Sequence, residues 1–401
     1  MRRRDTPLTT PNPVPVASPW HSPPWLQPRG AYVHVPFCAH HCDYCDFAIV
    51  TGREHQISLY LEAIACELAT LGTPRPVETI FLGGGTPSLL STPQLARLLE
   101  HLREWLVLRP GGELTIEANP DDVTRDKLRM LVDAGLTRIS LGVQSFRPDV
   151  LRTLNRRHRT DEVFASVALA RELVPAMSLD LIFGVPGQSL ADWQGDIDRA
   201  ISLEPDHISC YGLTWEKGTP LWKRWAKTDE IAPIDEDSEL AMYLAVMDAL
   251  EGAGYAQYEI SNFAKPGAES RHNRLYWANR AYYGFGPGAA RYVDGTRELN
   301  TRSLDEYLRR CLSGESPTFQ SETLPAEERA RETLAMMLRR REGIARGEFL
   351  TQTGFALETL IGRVLAGHVG AGLLADDGES VSLTRAGRCV ADGLEASLWA
   401  G

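Results

Sequence analysis

Three cysteines, Cys38, Cys42 and Cys45, fall within eight residues of a 401-residue chain. Their spacing, Cys-x3-Cys-x2-Cys, admits three chemistries. An i, i+4, i+7 pattern can mark one helix face, with the thiols acting as small buried apolar groups. Pro36 just before the run, and the polar His40, His41, Asp43 and Asp46 within it, argue against that. A Cys3His zinc site could recruit His40 or His41, but zinc ligands usually come in two paired knuckles and the sequence offers no second one. The third is an iron–sulfur cluster with three thiolates in place of the usual four, which leaves one iron open to a small molecule. The remaining cysteines, Cys66, Cys210, Cys311 and Cys389, are scattered. Seven is an odd number, so no disulfide framework is expected and a reducing, cytoplasmic setting is.

Other segments carry chemistry of their own. Gly83-Gly84-Gly85-Thr86-Pro87 permits close backbone approach to a ligand, because glycine has no Cβ; alone, it reads equally as a turn. Glu117, Gln144, Asp180 and Tyr211 are polar residues at the ends of apolar runs. His272-Asn273-x2-Tyr276-Trp277 places an imidazole, a common axial ligand of haem iron, beside two aromatics that can lie against a ring. A histidine that caps a turn, with core aromatics, accounts for the same residues. Gly284-Phe285-Gly286-Pro287-Gly288 has the wrong spacing for a dinucleotide fingerprint. Arg339-Arg340-Arg341 and Arg346 read as a solvated helix end.

These residues need a scaffold, and the sequence supplies one. Strand-like runs at 31–35, 79–82, 113–118, 138–143, 178–183 and 207–211 alternate with helical patterns at 57–71, 92–106, 125–134, 161–173 and 190–202. That is six strand–helix repeats of ~30 residues, the size of a βαβ unit, and it implies a parallel sheet covered by helices. Polar residues at the strand ends fit a barrel whose site lies at the C-terminal face. Residues 235–251 form an amphipathic helix, 258–263 look extended, and 325–400 read as helices, a small hairpin and a last helix, as in a winged helix. The division expected is a Pro-rich disordered tail over 1–30 with eight prolines, a barrel over 31–255 and a mostly helical domain over 256–401.

Composition narrows the partners. Lys plus Arg is 42 and Asp plus Glu is 53, a net charge of −11, which argues against wholesale nucleic-acid binding. No run reaches the 18 or so apolar residues of a membrane span, which leaves room only for peripheral membrane contact.

Together the cysteine loop after the first strand, with Tyr44 before its last cysteine, resembles the radical S-adenosylmethionine (SAM) superfamily. The resemblance implies an α/β fold built on a partial (β/α)6 barrel. It also implies a [4Fe–4S] cluster on Cys38, Cys42 and Cys45, with SAM chelating the open iron and cleaved by an electron to give a 5′-deoxyadenosyl radical. Within the superfamily, the chain is similar to the anaerobic coproporphyrinogen III oxidase-like family. That similarity assigns SAM contacts to Tyr32, Tyr44, Gly84, Gly85, Thr86, Glu117, Gln144, Arg156 and Asp180. Two branches of that family compete: the radical decarboxylase and a haem chaperone. Phe47 stands where the decarboxylase carries a further cysteine, and the motif at His272 matches the chaperone's haem-associated signature. The resemblance therefore implies haem as cargo with His272 as a contact, haem-acceptor proteins, and an electron donor such as ferredoxin or flavodoxin. Whether SAM is turned over, and so whether the chain is an enzyme, stays open.

Overall fold

A computed structural model of the chain describes residues 23–228 and 231–399. Six parallel strands form its centre and pair in chain order: β1 (Gly30–Val35), β2 (Arg75–Gly84), β3 (Leu106–Ala118), β4 (Arg138–Gln144), β5 (Ala176–Phe183) and β6 (His207–Gly212). The helices among and after them are α1 (Ile57–Ala69), α2 (Thr92–Trp105), α3 (Arg125–Asp133), α4 (Pro148–Thr153), α5 (Thr160–Leu173), α6 (Leu190–Ser202), α7 (Pro220–Thr228) and α8 (Glu236–Gly252). Side chains alternate across each strand. Ile139, Leu141 and Val143 of β4, and Leu179, Leu181 and Phe183 of β5, belong to the main apolar core that includes the helices. The opposite face is polar. Thr115, Glu117, Arg138, Ser140, Ser178, Asp180, His207 and Ser209 line an interior lumen of about 250 Å³.

The sheet continues past the repeats. β7 (Ala256–Gln257) and β8 (Asn262–Ala264) extend it antiparallel beyond β6. On the other edge, β9 (Tyr282–Phe285) pairs parallel with β1, followed by β10 (Ala290–Val293), β11 (Thr296–Asn300) and β12 (Thr318–Thr323). The order is β12-β11-β10-β9-β1-β2-β3-β4-β5-β6-β8-β7. The boundary expected at 255 therefore falls inside one sheet. Between these strands lie α9 (Arg271–Trp277) and α10 (Leu304–Leu312).

A second core begins after β12. It comprises α11 (Ala326–Leu338), α12 (Arg346–Thr353), α13 (Leu357–Gly370), α14 (Arg385–Cys389) and α15 (Ala391–Trp399) around the small sheet of β13 (Ile344–Ala345), β14 (Leu374–Asp376) and β15 (Ser380–Leu383). Leu334, Met337, Phe349, Leu360, Leu374 and Val381 fill it. The helix, hairpin, helix order expected here is present. Of the Pro-rich tail, residues 1–22 lie outside the described residues. Its last part runs along the sheet, where the Arg29 amide donates to Ala281 and the Ala281 amide donates to Trp25. Among the described residues no helix is long and apolar enough to cross a membrane.

Candidate cluster and cofactor cleft

At the C-terminal ends of the parallel strands lies a cleft of about 450 Å³. Cys38, Cys42 and Cys45 line it together with Tyr44, Gly84, Gly85, Thr86, Glu117, Gln144, Arg156 and Asp180. Eleven residues singled out in the sequence thus meet in one cavity.

The cysteine loop leaves β1 at Pro36 and is held from several sides. The Gly85 amide donates to Val35 O and the Thr86 amide to Phe37 O, both at 2.8 Å. A Cβ on Gly85 would sit 2.8 Å from Phe37 O and from Val35 O, and one on Gly84 (φ +109°) would strike the His34 ring at 2.4 Å. Both glycines are therefore required by packing, and Gly84 by its backbone conformation as well. Asn155, in the left-handed region at φ 55°, donates from Nδ2 to Asp43 Oδ1 at 2.9 Å and to His41 O at 3.3 Å. Arg224 of α7 pairs with Asp43 at 3.3 Å, and Arg302 pairs with Asp46.

Polar side chains tie the strand ends together. Arg156 Nη2 donates to Asn119 Oδ1 at 2.6 Å and to Gly142 O at 2.7 Å, while its Nη1 lies 3.5 Å from Cys42 Sγ. Asn119 Nδ2 donates to Thr86 Oγ1, which sits 3.4 Å from Cys38 Sγ. Gln144 has φ 65° at a register shift between β4 and β5; such a bulge re-aims a side chain. Glu117 accepts the Gly84 amide at 3.0 Å. Asp180 accepts Ser140 at 2.9 Å and Ser209 at 2.7 Å.

Burial dominates the electrostatics. It pushes the Cys38 thiol up to about 12 and Cys45 up to about 11. Burial also pushes Cys42 upward, but contacts with His40 and Arg156 outweigh it and leave that thiol lowered. Burial, then the charge of Asp180, raises Glu117 to about 7. Thiols raised this way become thiolates when a metal takes the proton's place. All three are free and face one cavity. Among the described residues, no three His, Cys, Asp or Glu converge as a single-ion site requires. A cubane makes no such demand, since each thiolate binds a different iron. His40 Nε2 is hydrogen-bonded to Asn155 O at 2.6 Å and His41 Nε2 to Cys45 O at 3.0 Å, so the Cys3His alternative finds both of these nitrogens engaged.

His272 lies elsewhere. It is 1% exposed, and both ring nitrogens are engaged: Nδ1 with Thr79 Oγ1 at 2.8 Å and Nε2 with Tyr276 OH at 2.9 Å. Its ring stacks on Phe81 at 5.3 Å. Thr79 stands five residues before Gly84 on β2, so His272 sits about 17 Å below the glycine loop, at ~3.3 Å per residue. Helix α9 closes the lower end of the lumen, with its first amides donating to Glu113 at 2.9 and 3.1 Å. The motif was expected outside the barrel segment that carries the cofactor residues; it forms that barrel's floor. Tyr32, held to His34 Nδ1 at 3.0 Å, also lines the lumen.

The model of the radical SAM superfamily matches residues 32–200, and that of the HemN C-terminal domain matches 324–390. Heme chaperone HemW of Bacillus subtilis is 38% identical over 368 residues, which cover 90% of this chain and 96% of the relative. The chain belongs to the HemW family. Another member, from Mycobacterium tuberculosis, is 37% identical and covers 96% of this chain and 98% of its own length. The solved coproporphyrinogen III oxidase HemN of Escherichia coli superposes with a TM-score of 0.82 at 24% identity, covering 93% of this chain and 90% of its own. HemW-family membership thus extends over both cores, and the fold is shared with the oxidase. Sequence reasoning missed Asn119, Ser140 and the lumen residues beneath them. Their signal was present as polar residues at i and i+2 within strands, such as Arg138 and Ser140, or Ser178 and Asp180.

Proposed function

We propose that this protein binds haem as cargo and passes it to acceptor proteins in the cytoplasm, carrying a [4Fe–4S] cluster and SAM. The observation that carries this reading is the cleft itself: three free thiols and eight predicted SAM contacts face one cavity, in a chain similar from end to end to proteins named haem chaperones. Cys38, Cys42 and Cys45 would hold the cluster, which supplies a one-electron reductant beside an open iron. The backbone of Gly84 and Gly85 and the hydroxyl of Thr86 would receive the amino-acid end of SAM. Glu117, Gln144 and Asp180 would accept hydrogen bonds from its hydroxyl and amine groups. Tyr44 would pack behind the cluster, where it joins the apolar group of Leu154, Leu213 and Leu221. Arg156 orients this set through Asn119 and steadies Cys42.

Phe47 supports the chaperone branch. It is 65% exposed at the rim of the cleft and offers apolar surface to a flat macrocycle instead of a fourth thiol. His272 enters this reading as the pin of the lumen floor, because a cavity of about 250 Å³ falls below the ~300–1,000 Å³ of sites for drug-sized ligands. The test is anaerobic reconstitution, followed by haem titration by absorbance and an assay of coproporphyrinogen III. Saturable haem binding with no decarboxylation is the expected outcome. Conversion to protoporphyrinogen IX with SAM consumed in step would favour the oxidase.

A further inference from the structure

The foot of the barrel lumen holds a cation that no carboxylate touches. Arg138 of β4 is 4% exposed and lines the lumen. Its Nη1 donates to Ala268 O at 2.9 Å, and its Nη2 has no hydrogen-bond partner. Among the described residues no carboxylate lies within ion-pair distance of it. Thr115 stands directly opposite Arg138 in the register of β3 and β4. It is fully buried, lines the same lumen, and its Oγ1 is also without a partner. Two neighbouring side chains at the foot of one cavity thus each leave a polar atom unmatched.

Buried polar atoms in folded proteins are nearly always satisfied, and a buried charge is paired or neutralised. Arginine cannot be neutralised, because its guanidinium keeps its proton. The acids of the barrel are committed elsewhere. Glu113 takes the first amides of α9, Glu117 takes the Gly84 amide, and Asp180 takes Ser140 and Ser209. The charge of Arg138 reaches Asp180, but Asp180 pairs in register with Gly142, so its backbone lies about 13 Å higher along the strands. His207 offers no charge: burial, then the charge of Arg138, holds it well below the usual histidine range, and its nitrogens meet Ser178 Oγ and Tyr258 OH.

A carboxylate supplies what is missing, a negative charge with one oxygen for the guanidinium and one for the hydroxyl. The lumen of about 250 Å³ is smaller than drug-sized sites, so the acid is small. We propose that Arg138 and Thr115 form a subsite for the carboxylate of a small organic acid at the foot of the lumen. Gly84, Glu117, Ser140 and Asp180 line both the lumen and the cleft above it, so the acid enters from the cleft. This site lies below the cluster and SAM residues and does not depend on that reading. A propionate of haem is another source of a carboxylate. Arg138 aligns with Ala176 of β5, and the exposed Tyr211 of the cleft aligns with Ile182. From Ala176 to Ile182 the strand rises about 20 Å, too far for a three-carbon arm, so the free acid is the occupant.

Equilibrium dialysis of the full-length, reconstituted protein against radiolabelled acetate and malonate tests the proposal. A ligand as small as acetate binds no tighter than roughly tens of micromolar, so the titration runs from ~10 µM to ~10 mM. Saturation at one acid per chain is the expected result. Arg138→Met should weaken binding at least about tenfold, the loss of a hydrogen bond to a charged group. That variant also frees Ala268 O, so Thr115→Val gives a second reading. It removes only the unmatched hydroxyl; the melting temperature should hold, and affinity should fall by about two- to tenfold. No saturable binding of either acid to wild type, or equal affinity in wild type and both variants, would overturn the subsite. Displacement by equimolar chloride would make it a general anion pocket and overturn the carboxylate assignment. Haem titration separates the two sources, and Arg138→Met should bind haem as wild type does. Haem affinity that falls in this variant, with neither free acid bound by wild type, would put a propionate of the cargo here and overturn the free acid.

Discussion

Glu117 is the residue at which pH enters. Burial and the neighbouring charge of Asp180 raise its carboxyl from 4.5 to about 7, against the stabilising Gly84 amide. The folded chain thus binds that proton more tightly than the unfolded chain does. The resulting stability is full below about pH 4.5 and is lost as pH rises through about 7. Glu117→Gln keeps an oxygen for the Gly84 amide and removes the ionisation. Its melting temperature should match wild type near pH 5 and exceed it by a few degrees near pH 8. Melting curves that stay parallel across that range would contradict the assignment. His272 poses a different question, because both nitrogens are committed inside the lumen floor. His272→Ala strands the hydroxyls of Thr79 and Tyr276 and should cost about 2 kcal/mol, within the 1–3 kcal/mol for an unsatisfied buried polar group. His272→Gln can meet one of them and should lie between. Haem spectra of the glutamine variant should be those of wild type; an altered spectrum at unchanged melting temperature would put haem iron on His272.

The six parallel strands and their long helices were legible because period-2 and period-3.6 patterns are local. The pieces that frame the site were not. Helix α4 has six residues and α7 nine, too short to display periodicity. β9 hides within an aromatic and glycine run, since its partner β1 lies some 250 residues earlier. The lumen floor escaped for the same reason: no local pattern in α9 announces that Thr79 and Glu113 will receive it. The gathering of Gly84, Glu117, Gln144 and Asp180 in one cleft was readable because they lie at or near the ends of successive strands. The bracing side depends on Asn155, whose positive φ suits asparagine better than most residues. Asn155→Ala removes two bonds to the cysteine loop and leaves alanine in a backbone region that costs it roughly 1 kcal/mol. The reconstituted variant should release iron to a chelator several-fold faster than wild type, with a melting temperature only a few degrees lower. Equal release rates would mean that the loop is held without it.

Across the whole molecule, the seam between α1 and the segments after β9 decides whether the loop's far end stays in place. Glu67 of α1, 2% exposed, accepts the Gly286 amide at 2.8 Å, Asn300 Nδ2 at 2.7 Å and the Tyr307 hydroxyl at 2.6 Å. One carboxylate therefore joins the barrel to the loop after β9, to β11 and to α10. A Cβ on Gly288, in the same stretch, would stand 2.5 Å from Ala48 Cβ, and Arg302 grips Asp46, so these segments also brace the cysteine loop. Burial raises the Glu67 carboxyl, and its three donors pull it back. Glu67→Ala would leave all three donors without their acceptor in a dry site, where each unsatisfied group costs about 1–3 kcal/mol. The expected result is a melting temperature lower by several degrees and faster loss of iron from the reconstituted protein. Glu67→Gln, with one oxygen left to accept, should recover part of both. If Glu67→Ala lowered the melting temperature while iron release stayed at the wild-type rate, the seam would support the fold alone, and the cysteine loop would owe its order to Asn155 and Arg224 on its other side.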